Sequence, residues 1–311
     1  MTGRIVLDWG TSAFRAALVA EDGRVLDRRA AALGIRFSQG TDFEAAMRGE
    51  IGPWLDAHPG ARVYAAGMIG SRNGWVEVPY VACPADAPAL ANGVRRLKLG
   101  DGREMVFLPG VTCRRAGGVA DVMRGEETQV AGLGHETPAT VVLPGTHSKW
   151  VHVADGRIMA FQSFVTGELY DLLATHSFVA GARGRDEGRL DRQAFDRGLA
   201  AGESDDAATG GLLSRLFGVR ARMLTGEVAP EAVGDFLSGL LIGAEFREAR
   251  AAGWLDGGRP VMLVGSATLV ERYRRAASTV GIDAAVADGD AGIRGVLAIA
   301  RHHEGVADEL C

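Results

Sequence analysis

The chain has 311 residues, enough for two domains, and its 47% hydrophobic and 23% charged residues are typical of a soluble globular protein. A net charge of −5 provides no basic field that would attract nucleic acid or acidic lipid. The three cysteines are widely spaced, which suits reduced thiols rather than a metal or disulfide framework. No apolar run approaches the roughly 20 residues of a membrane span. We therefore expect a cytoplasmic protein with neither nucleic acid nor membrane as a partner.

The opening segments predict an antiparallel meander followed by a helix and a glycine-rich loop. Their residue patterns favour strands at 4–9, 13–20, 25–31 and 61–66. Glu21-Asp22-Gly23-Arg24 is a tight-turn signal between the second and third strands. Residues 43–57 are helix-like, although Gly52-Pro53 interrupts them. The last of these strands ends in the loop at 67–75.

The middle of the chain repeats this order. Strand, Gly-Thr turn, strand, Asp-Gly-Arg turn and strand recur at 139–144, 145–147, 148–154, 155–157 and 158–164. When Gly10-Thr11 is aligned on Gly145-Thr146, the two Asp-Gly-Arg turns fall within two positions of each other. One such match is weak because meanders with Asp-Gly turns are common, but five elements in one order favour duplicated domains.

Helices and short strands make up the rest of the chain. Helices are predicted at 117–131, 166–176, 190–201, 206–217, 230–252, 268–279 and 291–303, and strands at 260–264 and 282–287. Residues 181–189 read as a polar flap or hinge, and the role of 181–229 stays open. The predicted parts are an N-terminal domain (1–116), a connecting helix (117–137), a C-terminal domain (138–290), and a helix and tail (291–311) returning to the N-terminal domain.

The first Gly-Thr turn has the chemistry of an anion site. With Gly10 at its apex, backbone N–H groups and the Thr11 and Ser12 hydroxyls can approach a phosphate closely, and Arg15 can reach one of its oxygens. Asp8, at the end of the strand, is placed to hold a hydrated Mg²⁺, which needs few carboxylates. The alternative is a structural turn with a capping aspartate.

The second turn strengthens that interpretation. Gly145 and Thr146 offer the same groups, and His147 and Lys149 can add positive charge, although both would otherwise face solvent. The sequence lacks the GxxxxGK[ST] of a P-loop and the GxGxxG of a dinucleotide fold after the first strand. We expect the two turns to hold one polyphosphate from both sides of an inter-domain cleft.

Carboxylates on the predicted connecting helix are candidates for a general base. Phosphoryl transfer needs one carboxylate to orient the attacking hydroxyl and accept its proton. Glu126 and Glu127 would point about 100° apart on a helix, so one can face the cleft. Asp121 lies one turn earlier. The alternative is a solvated polar helix face.

Two further segments could contact small molecules. In the loop at 67–75, Gly70, Ser71, Asn73 and Trp75 could bind a polyol or a sugar face, although a plain loop reads equally well. The strand at 260–264 ends in Gly265-Ser266, a small-residue elbow that either lets a nucleobase or ribose approach or only packs tightly.

Together these segments resemble the actin-like ATPase superfamily of hexokinases and carbohydrate kinases, and within it the 2-dehydro-3-deoxygalactonokinase family. The resemblance covers nearly the whole chain. Its most specific motifs are VMRGEETQ at 122–129 and FLSGLLIGAE at 236–245, and it includes AGMIGSRNGW at 66–75, LPGTHSKWV at 143–151 and TGELYDLL at 166–173.

The resemblance implies an α/β fold of two duplicated actin-like (ribonuclease H-like) domains around a cleft. It implies transfer of the γ-phosphoryl of ATP, with Mg²⁺, to the 6-hydroxyl of a keto-deoxy sugar acid bound on the N-terminal side. Both Gly-Thr turns would be phosphate loops, and Gly265-Ser266 would lie near the adenosine. As a separate hypothesis, the 67–75 loop would bind the acid and Arg124 its carboxylate. The Gly-Glu-Glu order favours Glu126 as the base, with Glu127 and Asp121 left open.

Two other classes compete with this interpretation. The same Gly-Glu-Glu order is similar to exopolyphosphatase relatives, which would release phosphate without a sugar acceptor. A filament-forming actin-like protein is the other, although the sequence suggests no large apolar surface. A kinase of another keto-deoxy acid also remains open, as do the galactonate or gluconate epimer and the oligomeric state, for which a homodimer is one option.

Overall fold

A computed structural model describes residues 3–37, 40, 42–134, 137–178, 190–256 and 258–309. The predicted flap at 181–189 lies outside the described residues. The strands are β1 (Arg4–Trp9), β2 (Phe14–Val19), β3 (Val25–Ala31), β4 (Arg62–Ala66), β5 (Val81–Ala82), β6 (Arg95–Lys98), β7 (Glu104–Phe107), β8 (Val111–Arg114), β9 (Ala120–Met123), β10 (Ala139–Leu143), β11 (Ser148–Ala154), β12 (Arg157–Phe164), β13 (Val261–Leu263) and β14 (Ala285–Val286).

The helices are α1 (Phe43–Ala57), α2 (Ala87–Asn92), α3 (Glu126–Ala131), α4 (Thr166–His176), α5 (Arg192–Glu203), α6 (Leu212–Leu224), α7 (Val233–Ala251), α8 (Ala267–Thr279) and α9 (Ala291–Glu309). The chain forms two compact units. The first comprises Met1–Pro138, Val151–Phe161 and Asp288–Cys311, and the second Ala139–Trp150 and Gln162–Ala287. No described helix is both long and apolar enough to cross a membrane.

The first unit is built on a six-stranded mixed sheet in the order β3-β2-β1-β4-β7-β6. β1 pairs antiparallel with β2 and parallel with β4, and β4 pairs parallel with β7. Residues alternate along β1, so that Ile5, Leu7 and Trp9 are fully buried in the core on one face. The parallel strands β1 and β4 therefore end at the same edge of the sheet.

Helix α1 covers this core and continues through Pro53. Its N-cap Asp42 accepts a hydrogen bond from the backbone N–H of Ala45, which satisfies a free donor of the first turn. A proline inside a helix costs about 3 kcal/mol. Burial of Met47, Ile51, Trp54 and Leu55 offsets this cost, since each such side chain contributes roughly 1.5–3 kcal/mol.

A second mixed sheet has the order β12-β11-β10-β13-β14. β10 pairs parallel with β13, and β13 with β14. Helices α5 and α7 cross closely in the second unit because glycines line their contact. A Cβ at Gly198 would stand 2.1 Å from the Phe236 carbonyl oxygen, and one at Gly239 would stand 2.1 Å from that of Phe195. Larger side chains here would force the helices apart.

The predicted helix at 117–131 is wrong over its first half, and of the connecting helix predicted at 117–137 only Glu126–Ala131 is α-helical among the described residues. Residues 120–123 form strand β9, which pairs antiparallel with β8, and α3 begins only at Glu126. Gly117, Gly118 and Gly125 all have positive φ, which breaks the helical path that the polar and apolar spacing indicated. Glu126 and Glu127 thus occupy the first turn of a short helix.

Candidate active site

The first Gly-Thr turn joins β1 to β2 with its hydroxyl groups outward. The N–H of Gly10 donates to the Ala13 carbonyl (2.9 Å), which closes the turn, and Thr11 and Ser12 are exposed. Residues 34–36 support it, since backbone N–H groups there donate to the carbonyl oxygens of Gly10 (3.1 Å) and Thr11 (3.2 Å). The turn is therefore held by its backbone, and its hydroxyls remain available to a ligand.

Asp8 lies at the end of β1 beside this turn. Its carboxylate accepts a hydrogen bond from Arg15 Nη1 at 3.2 Å, and 48% of its side-chain surface is exposed. Desolvation by surrounding protein atoms raises the pKa of Asp8, and the charge of Arg15 opposes that shift. Among the described residues no group of three or more His, Cys, Asp and Glu side chains could hold a metal. One accessible carboxylate nevertheless fits a cation that keeps most of its waters.

Two glycines let three chain segments converge next to Asp8. Gly67 has φ 91°, and a Cβ there would stand 2.9 Å from the Trp9 carbonyl oxygen and 3.3 Å from Asp8 Oδ1. Gly125 has φ 113°, and a Cβ there would stand 3.3 Å from the Gly67 Cα. The end of β1, the start of the 67–75 loop and the start of α3 therefore meet at one place, which brings Asp8 near the α3 carboxylates.

The two α3 carboxylates have different environments. Glu127 is 1% exposed, and its Oε2 accepts a hydrogen bond from the Gly125 N–H at 2.7 Å. Its Oε1 is buried without a hydrogen-bond partner among the described residues. Burial, and secondarily the charge of Glu126, raise the pKa of Glu127 to about 8. Glu126 is half-buried, and its Oε2 accepts from the Arg124 N–H at 3.1 Å. Of the pair, only Glu126 can meet a substrate without rearrangement.

Arg124 is a buried cation that is only partly satisfied. Its Nη2 donates to the Val78 carbonyl at 2.7 Å, and its guanidinium lies 4.3 Å from the Tyr80 ring centroid. Its Nε and Nη1 are buried without a hydrogen-bond partner in the described part of the chain, as is Ser71 Oγ. A Cβ on Gly70 would stand 3.2 Å from Arg124 Nη1. The loop therefore brings unpaired donors together, an arrangement that costs free energy unless a ligand or water completes it.

Other predicted residues of this loop serve the core or face solvent. The Trp75 ring stacks on Phe43 at 6.1 Å and meets Phe107 edge-on at 5.7 Å, within the N-terminal core. Asn73 is exposed. This packing explains why a tryptophan stands at position 75, so its presence is not evidence for a sugar contact.

The second Gly-Thr turn, between β10 and β11, is held by the start of α4. The Glu168 N–H donates to the Thr146 carbonyl at 2.8 Å, and its carboxylate lies 2.6 Å from His147 Nε2. A Cβ on Gly167 would stand only 2.2 Å from the Gly145 carbonyl oxygen, so α4 approaches the turn closely. Lys149 is buried, which excludes the alternative in which its side chain faces solvent. Thr146 and His147 remain exposed.

The small-residue elbow lies against this second turn. Gly265 and Ser266 are exposed just before α8, and the Ser266 side chain makes no capping hydrogen bond. A Cβ on Gly265 would stand 3.3 Å from the Pro144 carbonyl oxygen. The elbow and the turn therefore form one continuous surface of the second unit.

A buried glutamate, Glu245, lies beneath this surface and was not among the predicted site residues. Glu245 of α7 is 3% exposed and accepts hydrogen bonds from Trp150 Nε1 (2.7 Å), the Tyr273 hydroxyl (2.7 Å) and the Thr166 hydroxyl. These donors belong to β11, α8 and α4, so one carboxylate ties together the elements that form the turn and the elbow. Burial raises the pKa of Glu245, and the donors oppose that shift. The sequence signal that could have indicated Glu245 is an acidic residue within an apolar helical segment.

Comparison with known proteins identifies the family. The family model for 2-keto-3-deoxy-galactonokinase matches residues 8–299. The chain belongs to the 2-keto-3-deoxygalactonokinase family. It is 37% identical over 300 residues to the “Probable 2-dehydro-3-deoxygalactonokinase DgoK1” of Rhizobium meliloti, with 94% of this chain and 95% of that protein covered. It is 35% identical over 302 residues to the 2-dehydro-3-deoxygalactonokinase of Escherichia coli, with 95% and 98% covered.

One solved structure agrees with this family assignment, and a more distant one shares the fold. A Sinorhizobium meliloti crystal structure, provisionally named a 2-dehydro-3-deoxygalactonokinase, matches with a TM-score of 0.83 at 33% identity and covers 97% of this chain and 99% of that one. The ADPNP-bound activator of 2-hydroxyisocaproyl-CoA dehydratase from Clostridium difficile matches with a TM-score of 0.54 at 12% identity, covering 99% and 98%. The latter likeness concerns the α/β fold alone.

Proposed function

We propose that this chain transfers the γ-phosphoryl group of ATP to the 6-hydroxyl of 2-dehydro-3-deoxy-D-galactonate, giving the 6-phosphate and ADP. The observation that carries the proposal is the family match over residues 8–299, together with relatives of that name along nearly the whole chain. The exopolyphosphatase alternative is not favoured by these matches. We also propose that the two mixed sheets are the cores of duplicated actin-like domains. In the first sheet β2 lies beside the parallel pair β1–β4, and in the second β11 lies beside the parallel pair β10–β13.

Each unit, taken by itself, carries groups suited to a nucleotide. We assign phosphate binding to the outward hydroxyls of Thr11, Ser12 and Thr146 and to the N–H groups of their turns. The surface formed by Gly265 and Ser266 would accept the adenosine, because neither residue presents a bulky side chain. In support, both turns are held by backbone contacts and keep their hydroxyls exposed.

Asp8 would hold Mg²⁺ through water. Its exposed carboxylate and its place beside the first turn support this role. When bound, Mg²⁺ neutralises charge on the transferring phosphoryl oxygens. Arg15, now paired with Asp8, would then be released to a phosphate oxygen.

Glu126 is our choice for the base. It is the more accessible of the two α3 carboxylates and lies where α3, the 67–75 loop and β1 converge. It would accept the proton of the 6-hydroxyl as that oxygen forms its bond to phosphorus and the bond to ADP breaks. Glu127, buried and bonded to the Gly125 N–H, would fix the start of α3 instead.

Arg124 would receive the carboxylate of the sugar acid, with Ser71 contributing its hydroxyl. The support is the set of buried donors that lack partners. A charge-assisted hydrogen bond to a ligand would remove the desolvation cost of leaving them unpaired. Because these atoms are shielded from solvent, the proposal includes a local rearrangement of the loop on binding.

A coupled ADP assay tests the proposal. With ATP and Mg²⁺, ADP should form only when 2-dehydro-3-deoxy-D-galactonate is present, and the gluconate-derived epimer should be compared in parallel. Equal ADP formation without any sugar acid would instead indicate a phosphohydrolase. In Glu126→Gln, kcat should fall about 10²- to 10⁴-fold, the usual contribution of a general base. The exposed Glu77→Gln is the matched control and should retain wild-type turnover.

A further inference from the structure

A pocket of about 260 Å³ lies in the first unit at the starts of β4 and β7. We call it the basal pocket; its polar lining is Arg62, Tyr64, Arg96, Arg103, Glu104 and His303. Tyr64 pairs in register with Val106, and Val106 with Arg96, so three neighbouring strands present side chains to one face. Helix α9 contributes His303 over that face.

The basal pocket is separate from the proposed active site. Arg62 begins β4, whereas Gly67 follows its other end. At about 3.3 Å per residue, the two positions are roughly 16 Å apart along the strand. A ligand in the basal pocket would therefore not occupy the proposed phosphate turn of the first unit.

Arginines outnumber carboxylates among the residues that line this pocket. Arg62, Arg96 and Arg103 line it, and Glu104 is the one carboxylate among its described lining residues. The Arg96 Nε lies 3.8 Å from Glu104 Oε1, beyond hydrogen-bond distance. Glu304, which accepts hydrogen bonds from Arg4 and the Tyr64 hydroxyl, lies 3.5 Å from Arg62 Nη1, and the Arg103 Nε lies 3.8 Å from Asp101 Oδ2.

One lining group, Arg103, is buried with unused donor capacity. Arg103 Nη2 donates to the Leu55 carbonyl at 2.9 Å, but its Nη1 is buried without a partner in the described part of the chain. His303 is 7% exposed, and its ring meets Tyr64 edge-on at 6.3 Å. Buried polar groups without partners are rare in proteins, so their presence beside a cavity indicates a polar occupant.

We propose that the basal pocket binds the phosphoryl group of a small phosphate monoester. Guanidinium groups match phosphate oxygens in geometry and charge, and three converge here on a space suited to a small ligand. A phosphate dianion would supply acceptors to these guanidinium groups, including the buried Nη1 of Arg103. Such a ligand would bridge α9 to β4, β6 and β7 and stabilise the folded first unit by mass action.

Calorimetric titration of the full chain at fixed low salt tests the proposal. The probes are inorganic phosphate and glycerol 3-phosphate. Arg96→Gln should weaken binding about tenfold or more, the usual effect of losing a charge-assisted hydrogen bond. Arg95→Gln is the matched control, since Arg95 is equally exposed but lies on the other face of β6.

Thr11→Ala separates this pocket from the proposed ATP turn, and it should leave the phosphate affinity within twofold of wild type. Absence of binding to the wild-type chain, an unchanged affinity in Arg96→Gln, or binding lost in Thr11→Ala would each overturn the proposal. Tighter binding of glycerol 3-phosphate supports the monoester, whereas equal affinity would assign the pocket to inorganic phosphate. Turnover of Arg96→Gln without added phosphate should equal wild type, so this test does not depend on the kinase assay.

Discussion

Glu127 should make the stability of the first unit fall as the pH rises. A carboxyl group with a pKa raised from 4.5 to about 8 keeps its proton in the folded state while the unfolded chain has already ionised. The folded state then binds more protons than the unfolded state, so stability is lost across this window. Below pH 4.5 both states are protonated, and above about 8 the effect is constant.

The magnitude follows from the size of the shift. The pKa rises by about 3.5 units (8 minus 4.5), and at 1.36 kcal/mol per unit the destabilisation reaches about 5 kcal/mol. Glu127→Gln keeps an acceptor for the Gly125 N–H and removes the titration. Its amide N–H₂ would occupy the unpaired Oε1 position, which costs about 1–3 kcal/mol at every pH.

Urea unfolding followed by circular dichroism at pH 5, 6, 7 and 8 measures this effect. The free energy of unfolding of Glu127→Gln, minus that of wild type, should increase by about 1 kcal/mol per pH unit. Glu77→Gln, exposed in the same unit, should show no such slope. A difference independent of pH would refute the assignment of the raised pKa to burial of Glu127.

Three further substitutions test the roles of Asp8, Gly125 and Glu245. Asp8→Ala should abolish Mg²⁺-dependent turnover, with Asp22→Asn as an exposed control; normal kinetics in Asp8→Ala would rule out the metal role. Gly125→Ala should lower the free energy of unfolding by about 1–3 kcal/mol, because φ is 113° and Gly67 stands in the way; a thermal scan reads this, and wild-type stability would contradict it. Glu245→Gln should lower the unfolding midpoint and raise KM for ATP, because an amide cannot accept from all three donors, while exposed Glu248→Gln should change neither.

The sequence predicted best where periodicity and packing agree. The bounds of α1 and α4 match the predicted ranges because their apolar spacing coincides with the faces they bury. The strands β1 to β3 also lie as predicted, since Asp-Gly turns and alternation mark them. Residues 78–123 were harder, because β5 to β9 are two to four residues long and such runs carry little periodic signal.

The candidate site was predictable in its residue types but not in its contacts. The sequence indicated Asp8, Glu126 and the loop at 67–75 separately. Their convergence depends on the positive φ of Gly67 and Gly125, which a spacing pattern does not reveal. Burial decides the difference between Glu126 and Glu127, and neighbours distant in sequence determine that burial.

Glu126 is proposed to activate the 6-hydroxyl of the sugar acid for attack on ATP. The most direct test of this role is the initial rate of ADP formation with and without 2-dehydro-3-deoxy-D-galactonate, for wild type, Glu126→Gln and Glu77→Gln. ADP formation should require the sugar acid, fall about 10²-fold or more in Glu126→Gln and remain unchanged in Glu77→Gln. ADP formation that ignores the sugar acid, or an undiminished rate in Glu126→Gln, would contradict this role.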